Sequence, residues 1–191
     1  MKTGLYFGSF NPVHIGHLAI ANYIAEFTDI GELWFVISPQ NPLKKKTALL
    51  EDYDRYELLK RAITEDENFR ICDIEFNLPK PSYTIDTLTY LKERHPDYEF
   101  VLIMGSDGLH TFHKWKNHKE IAGNYQRYIY PRRGFENINL TEHKNIKVVD
   151  APIIEISSSF IRASLEKGKN IKHFLNKEVY KYILKKHFYN T

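Results

Sequence analysis

The sequence predicts an α/β fold: one parallel sheet of about six strands in the doubly wound order, with helices on both faces and a helical C-terminal segment. Three observations carry that expectation. Short apolar runs alternate with stretches in which apolar residues return every three or four positions. The connections between them are short, and the first and fourth apolar runs both end in glycine, at Gly8 and Gly105.

Taken in order, Thr3 to Phe7 is an apolar run stopped by Gly8, and Ile15 to Phe27 has helical spacing, so the chain opens as strand, turn and helix. Leu33 to Ile37 is apolar throughout, as a strand covered on both faces requires. Pro39 and Pro42 then force an extended loop ending in Lys44, Lys45 and Lys46. Tyr53 to Ile63 reads as a helix and Phe69 to Ile74 as the third strand. A loop with Pro79 and Pro81 leads into a helix from Thr84 to Arg94, closed by Pro96. Phe100 to Met104 is the fourth strand. Tyr125 to Tyr130 and Ile146 to Val149 complete the sheet, and Ser159 to Glu166 and Lys177 to Lys186 are the closing helices. No repeat, low-complexity tract or linker interrupts the pattern, so the 191 residues are expected to form one domain.

Composition narrows the function. Twenty-seven Lys and Arg against 24 Asp and Glu leave a formal charge of +3, which suits a small anionic ligand and is too little for a nucleic-acid partner. Cys72 is the only cysteine, which rules out an intrachain disulfide and a zinc ribbon and fits a reducing cytoplasm. The N-terminus enters a strand at once, and no segment approaches the roughly 20 apolar residues of a membrane span. The expected protein is cytoplasmic and makes no contact with a membrane; self-association into a homo-oligomer is left open.

In the doubly wound order the first and fourth strands are neighbours, so the loops Gly8-Ser9-Phe10 and Gly105-Ser106-Asp107 flank the crevice in which open parallel sheets bind nucleotides. The first loop has neither the GxGxxG fingerprint nor a Walker A sequence. It is followed by His14-Ile15-Gly16-His17. Three residues apart at a helix start, the two imidazoles share one face beside free backbone amides and the positive end of the helix dipole, an arrangement suited to phosphate. Gly16 between them is expected to let a polyphosphate approach the backbone. Alone, such a pair would more often cap a helix. A zinc site is disfavoured, because the pair lacks the i, i+4 spacing and glutamate of a zinc protease helix, and no metal site is expected.

The stretch Gly8-Ser9-Phe10-Asn11-Pro12-Val13-His14-Ile15-Gly16-His17 resembles the GxFxPxHxGH signature of the nucleotidylyltransferase superfamily, and Ile156-Ser157-Ser158-Ser159-Phe160-Ile161-Arg162 resembles its second signature, ISSTxxR. Between them, Pro81-Ser82-Tyr83-Thr84-Ile85-Asp86-Thr87, Gly105-Ser106-Asp107 and Trp115 resemble the nicotinate-nucleotide adenylyltransferase branch, so the likeness spans nearly the whole chain. It implies a Rossmann-like fold and transfer of the adenylyl group of ATP to nicotinate mononucleotide, with release of pyrophosphate.

The resemblance also implies site residues. His14 and His17 would hold the ATP phosphates, with His17 stabilising the transition state. Ser158 and Ser159, opening a helix that carries Arg162, would form a second phosphate site. Lys44, favoured over Lys46, would swing its ammonium toward the phosphates. Gly8, Ser9, Phe10, Gly16, Gly105 and Asp107 fall to nucleotide binding, with Asp107 accepting from a ribose hydroxyl. Thr84, at a helix start, would meet a carboxylate, and Trp115 would stack on a pyridine ring. Magnesium is expected on the ATP phosphates themselves. Two positions depart from the family pattern: Ser159 replaces a threonine, and Asn176-Lys177 stands where a proline-bearing segment commonly precedes the last helix. The alternatives are an adenylyltransferase acting on the nicotinamide nucleotide or on phosphopantetheine, or a noncatalytic nucleotide-binding regulatory module.

Overall fold

Six strands, β1 (Lys2–Gly8), β2 (Glu32–Ile37), β3 (Phe69–Cys72), β4 (Glu99–Gly105), β5 (Gln126–Tyr130) and β6 (Ile146–Val148), form one parallel sheet in the order β3-β2-β1-β4-β5-β6. The computed structural model describes residues 1–39, 49–135 and 145–191. Lys44, Lys45 and Lys46 therefore lie outside the described residues.

The helices are α1 (Ile15–Phe27), α2 (Asp52–Ala62), α3 (Thr84–Arg94), α4 (Ser106–His110), α5 (His118–Asn124), α6 (Ser158–Glu166) and α7 (Lys177–Lys186). The period-two alternation of the strands divides them between two faces. On β2, Leu33, Phe35 and Ile37 enter one apolar cluster and Trp34 and Val36 the other. On β4, Val101 and Ile103 take the first, while Phe100, Leu102 and Met104 take the second. The first cluster is closed by α1, α2, α6 and α7 through residues such as Ile24, Leu58, Ile161 and Ile183. The second is closed by α3 and α5 through Leu88, Leu91 and Ile121. Each such aliphatic side chain contributes about 1.5–3 kcal/mol on burial, so the two-sided cover is what makes an all-parallel sheet stable.

Three differences from the sequence-based expectation have local causes. Helices α4 and α5 were not foreseen, because five and seven residues are too few to display a helical period. The third strand ends at Cys72 rather than Ile74, where the chain tightens into a 3₁₀ turn over Ile74–Asn77. Asn176, at the departure from the family pattern, caps α7: its side chain accepts a hydrogen bond of 2.8 Å from the Glu178 amide, so no proline is needed to start the helix. Among the described residues, no helix is long and apolar enough to cross a membrane.

Sheet order turns from one direction to the other between β1 and β4, whose residues pair from Lys2↔Glu99 to Tyr6↔Ile103. Both strands end at the same edge, and the site opens there.

Candidate active site

A cavity of about 850 Å³ lies at the carboxyl ends of β1 and β4. From the loop after β1, Gly8, Ser9, His14 and His17 line it; from the start of α4 and the end of β4 come Gly105 and Asp107. Thr84, Trp115, Ser158, Ser159 and Arg162 complete the set of described candidates that reach it. Residues drawn from across the chain thus meet in one space, of a size that can enclose a dinucleotide.

His14 caps α1 in an extended conformation, and its ring stacks on that of His17 with centroids 3.7 Å apart. The His14 amide donates to His17 Nδ1 over 3.3 Å, which leaves the His17 ring proton on Nε2 as a donor. His14 itself is 3% exposed. Burial, helped by the positive charge of Arg132, pushes its pKa down to about 4, so the ring is uncharged at neutral pH. Of the two imidazoles, His14 thus enters any reaction as a neutral group.

Phe10 and Gly16 sit behind this pair and do not line the cavity. Phe10 is 1% exposed and meets His17 edge-on at 5.1 Å, so it backs the imidazole against the core. It takes a left-handed backbone conformation (φ 44°), which costs a nonglycine residue about 1–2 kcal/mol and is offset here by burial of the ring. Gly8 is required by that ring, since a Cβ there would come within 2.8 Å of it. At Gly16 a Cβ would lie 3.0 Å from His14 Nδ1 and 3.2 Å from Ile154, so the missing side chain makes room for the His14 ring.

The two ends of the chain are stitched together at this point. Ser157 is the true cap of α6, its hydroxyl accepting from the Phe160 amide at 3.1 Å. Ser158 donates its hydroxyl to the Pro12 carbonyl at 2.9 Å. Arg162 donates through Nη1 to the Asn11 carbonyl at 2.8 Å and through Nη2 to the Ser159 hydroxyl at 3.3 Å. The two sequence signatures therefore hold each other before any ligand is considered.

Sequence reasoning missed several residues that shape the cavity. Arg132, two residues past the end of β5, lines the wall. Its guanidinium lies 5.2 Å from the Tyr130 ring centroid and donates to the Tyr130 hydroxyl at 3.2 Å, with Nε 3.9 Å from an Asp107 carboxylate oxygen. The available signal was an Arg-Arg pair directly after an apolar strand, the position at which parallel sheets bind ligands. Arg55, fully buried, bridges the carbonyls of Ser9 (2.8 Å) and Ser38 (2.9 Å) and pairs with Asp52, locking the exits of β1 and β2 together. Glu75 and Ser82 are the third omission. One Glu75 oxygen accepts from the Thr87 hydroxyl at 2.8 Å, and the hydroxyls of Ser38 and Ser82 also favour its charged form. Burial pushes the Glu75 carboxyl above its usual range.

Thr84 is the first residue of α3, where backbone amides lack intrahelical partners. Trp115 packs at 5.5 Å against Phe112, and its Nε1 is buried without a partner. Beside it, the Lys116 ammonium lies 4.7 Å from the Tyr83 ring centroid and pairs with Asp86. Among the described residues, no group of three or more His, Cys, Asp or Glu is placed to hold a metal ion.

A cytidylyltransferase-like family model matches residues 5–164 of the chain. Over the full length of both chains, the sequence is 50% identical to a protein of Cytophaga hutchinsonii named a probable nicotinate-nucleotide adenylyltransferase. A protein of the same name from Flavobacterium johnsoniae is 51% identical, with 99% of each chain covered. Among solved structures, the nicotinic acid mononucleotide adenylyltransferase of Plasmodium falciparum, complexed with NaAD, matches with a TM-score of 0.84 over 99% of this chain and 97% of that one. At 24% identity the last likeness is one of fold.

Proposed function

The chain belongs to the nicotinate-nucleotide adenylyltransferase family, and from that premise we propose that its cavity joins the adenylyl group of ATP to nicotinate mononucleotide, forming nicotinate adenine dinucleotide and pyrophosphate. The observation that supports this reading most is the convergence of the His14–His17 stack, the start of α6 and the start of α3 on one cavity.

The reaction is an in-line displacement. A phosphate oxygen of the acceptor attacks the α-phosphorus of ATP, the bond from that phosphorus to the bridging oxygen breaks, and the electron pair leaves with pyrophosphate. No protein nucleophile is needed, because holding both substrates in one frame can supply about 7–11 kcal/mol of the barrier. The protein has to place phosphates and neutralise the charge that gathers on the leaving group. His17 Nε2–H serves that charge, and neutral His14 braces the ring beside it. Ser159, Arg162 and the first amides of α6 bind further phosphate oxygens. Ser158, with its hydroxyl committed to Pro12, contributes by fixing the loop and through its position at the helix start. Magnesium carried on the ATP phosphates as part of the substrate would offset charge on the leaving pyrophosphate. Lys44 retains its role on the family likeness alone.

Asp107 accepts from a ribose hydroxyl of the bound nucleotide; on the acceptor side, Trp115 stacks on the pyridine ring, and the Thr84 amide and hydroxyl meet its carboxylate. The cytoplasm, where both nucleotides occur and where a lone buried thiol such as Cys72 stays reduced, is the proposed location. Pyrophosphate release measured with ATP and a panel of acceptors tests the reading. Turnover of nicotinate mononucleotide above the nicotinamide nucleotide and phosphopantetheine is expected; no turnover with any acceptor would refute it.

A further inference from the structure

The chain after α7 returns to the first loop. His187, Tyr189 and Asn190 all have left-handed backbone conformations (φ 53°, 60° and 60°), which fold Phe188–Asn190 into a tight turn against α6. That turn aims the Tyr189 hydroxyl at Asn11, to which it donates over 2.9 Å. The Asn11 side-chain oxygen also accepts from the Leu50 amide at 3.3 Å, and the residue is completely buried. Burial pushes the Tyr189 phenol far above its usual range, so it keeps its proton and remains the donor.

Asn11 is the residue whose carbonyl receives Arg162, and it stands three positions before His14 in a loop already forced into a left-handed turn at Phe10. Neither Asn11 nor Tyr189 lines the cavity. An effect of Tyr189 on the reaction must therefore pass through its neighbours, the loop and the Arg162 guanidinium whose charge reaches the phenol.

We propose that Tyr189 is a positioning residue for the ATP side of the site: by holding the Asn11 side chain from behind, it sets the Asn11 carbonyl that orients Arg162 and the loop that delivers His14 and His17. This rests on the adenylyl-transfer reading, and its test separates the two. Tyr189→Phe removes the hydroxyl and keeps the ring. Phe188→Ala, one residue earlier and packed at 5.9 Å against Tyr182 and at 6.3 Å against the Tyr189 ring, removes packing from the same turn while keeping the Tyr189 hydroxyl.

Steady-state kinetics with each substrate varied, binding of a nonhydrolysable ATP analogue by calorimetry, and thermal melts are measured on both full-length variants. Tyr189→Phe is expected to raise the KM for ATP and the Kd of the analogue by about 3- to 10-fold, the size of one lost neutral hydrogen bond, with the acceptor KM unchanged. Phe188→Ala is expected to lower Tm at least as much while leaving both ATP constants alone. An unchanged analogue Kd in Tyr189→Phe overturns the proposal, as does a shift shared equally by both substrates or one that tracks Tm in both variants. A wild-type chain without turnover would sink the reaction instead, and the analogue Kd would still decide the role of Tyr189.

Discussion

At the phosphate side of the cavity, Arg162, Ser158 and His17 are tied to the loop after β1; at the acceptor side, the Trp115 ring nitrogen is buried without a partner. Arg55 and Tyr189 brace the loop after β1 from behind. Around the start of α3, Glu75 interacts with the hydroxyls of Thr87, Ser38 and Ser82. The difference matches the two tasks. Charge that develops on a transferring phosphate is best met by donors that do not reorganise, so that side is rigid in advance. Recognition of one acceptor over its analogues draws on groups that are left unpaired unless the correct ligand arrives, such as the free amides at the start of α3.

The largest effect expected from this contrast is at the rigid side. His17→Ala should lower kcat by about 100-fold or more while leaving the melting curve nearly unchanged, since it removes a donor to the transition state and little core. Turnover numbers for the folded variant check this, and full activity would remove His17 from the chemistry.

Next in size is discrimination at the acceptor side. With ATP and magnesium fixed, the specificity constant for nicotinate mononucleotide should exceed that for the nicotinamide nucleotide by roughly 100-fold, because the amide presents a donor to the donors at the start of α3. Equal specificity constants would show that the donors at the start of α3 do not read the ring substituent.

His14 provides a test that needs no substrate. Its pKa is depressed to about 4 in the folded protein, below the ordinary histidine value, so folding favours the neutral ring. The stability this represents is fully present above about pH 6.5 and is lost as pH falls toward 4, amounting to roughly 2 kcal/mol between pH 7 and 4.5. Urea melts at the two pH values should show a smaller acid loss in His14→Gln than in the wild type. Identical acid sensitivity would mean that His14 is not buried neutral.

The smallest effect is expected at Arg162. Arg162→Lys keeps the charge but cannot reach both the Asn11 carbonyl and the Ser159 hydroxyl, so the KM for ATP should rise by about 10-fold with the acceptor KM little changed. Unchanged ATP kinetics would sever the link between α6 and the phosphates.

Chain-local chemistry was enough to place the strands, the helix starts and the histidine pair. An uninterrupted apolar run such as Leu33 to Ile37 has few alternatives to a buried strand, and doubly wound order then makes β1 and β4 neighbours, which predicts where the site opens. The serine run before Arg162 was equally legible as a helix start. Which serine caps the helix and which binds the Pro12 carbonyl was decided by the approach of α6 to a loop some 146 residues earlier in the chain. The same holds for Arg132, Glu75 and Tyr189, which carry no local signature because their partners are distant in sequence; Tyr189 and Asn11 are separated by 178 positions. Gly16 shows the distinction within a single residue: the His14 ring that a Cβ would crowd is two positions away in sequence, whereas Ile154, which it would also meet, is brought there only by the tertiary structure. Periodicity and residue chemistry act over a few positions and determine elements and candidates, while hydrogen-bond partnership and burial depend on what the packed sheet brings together.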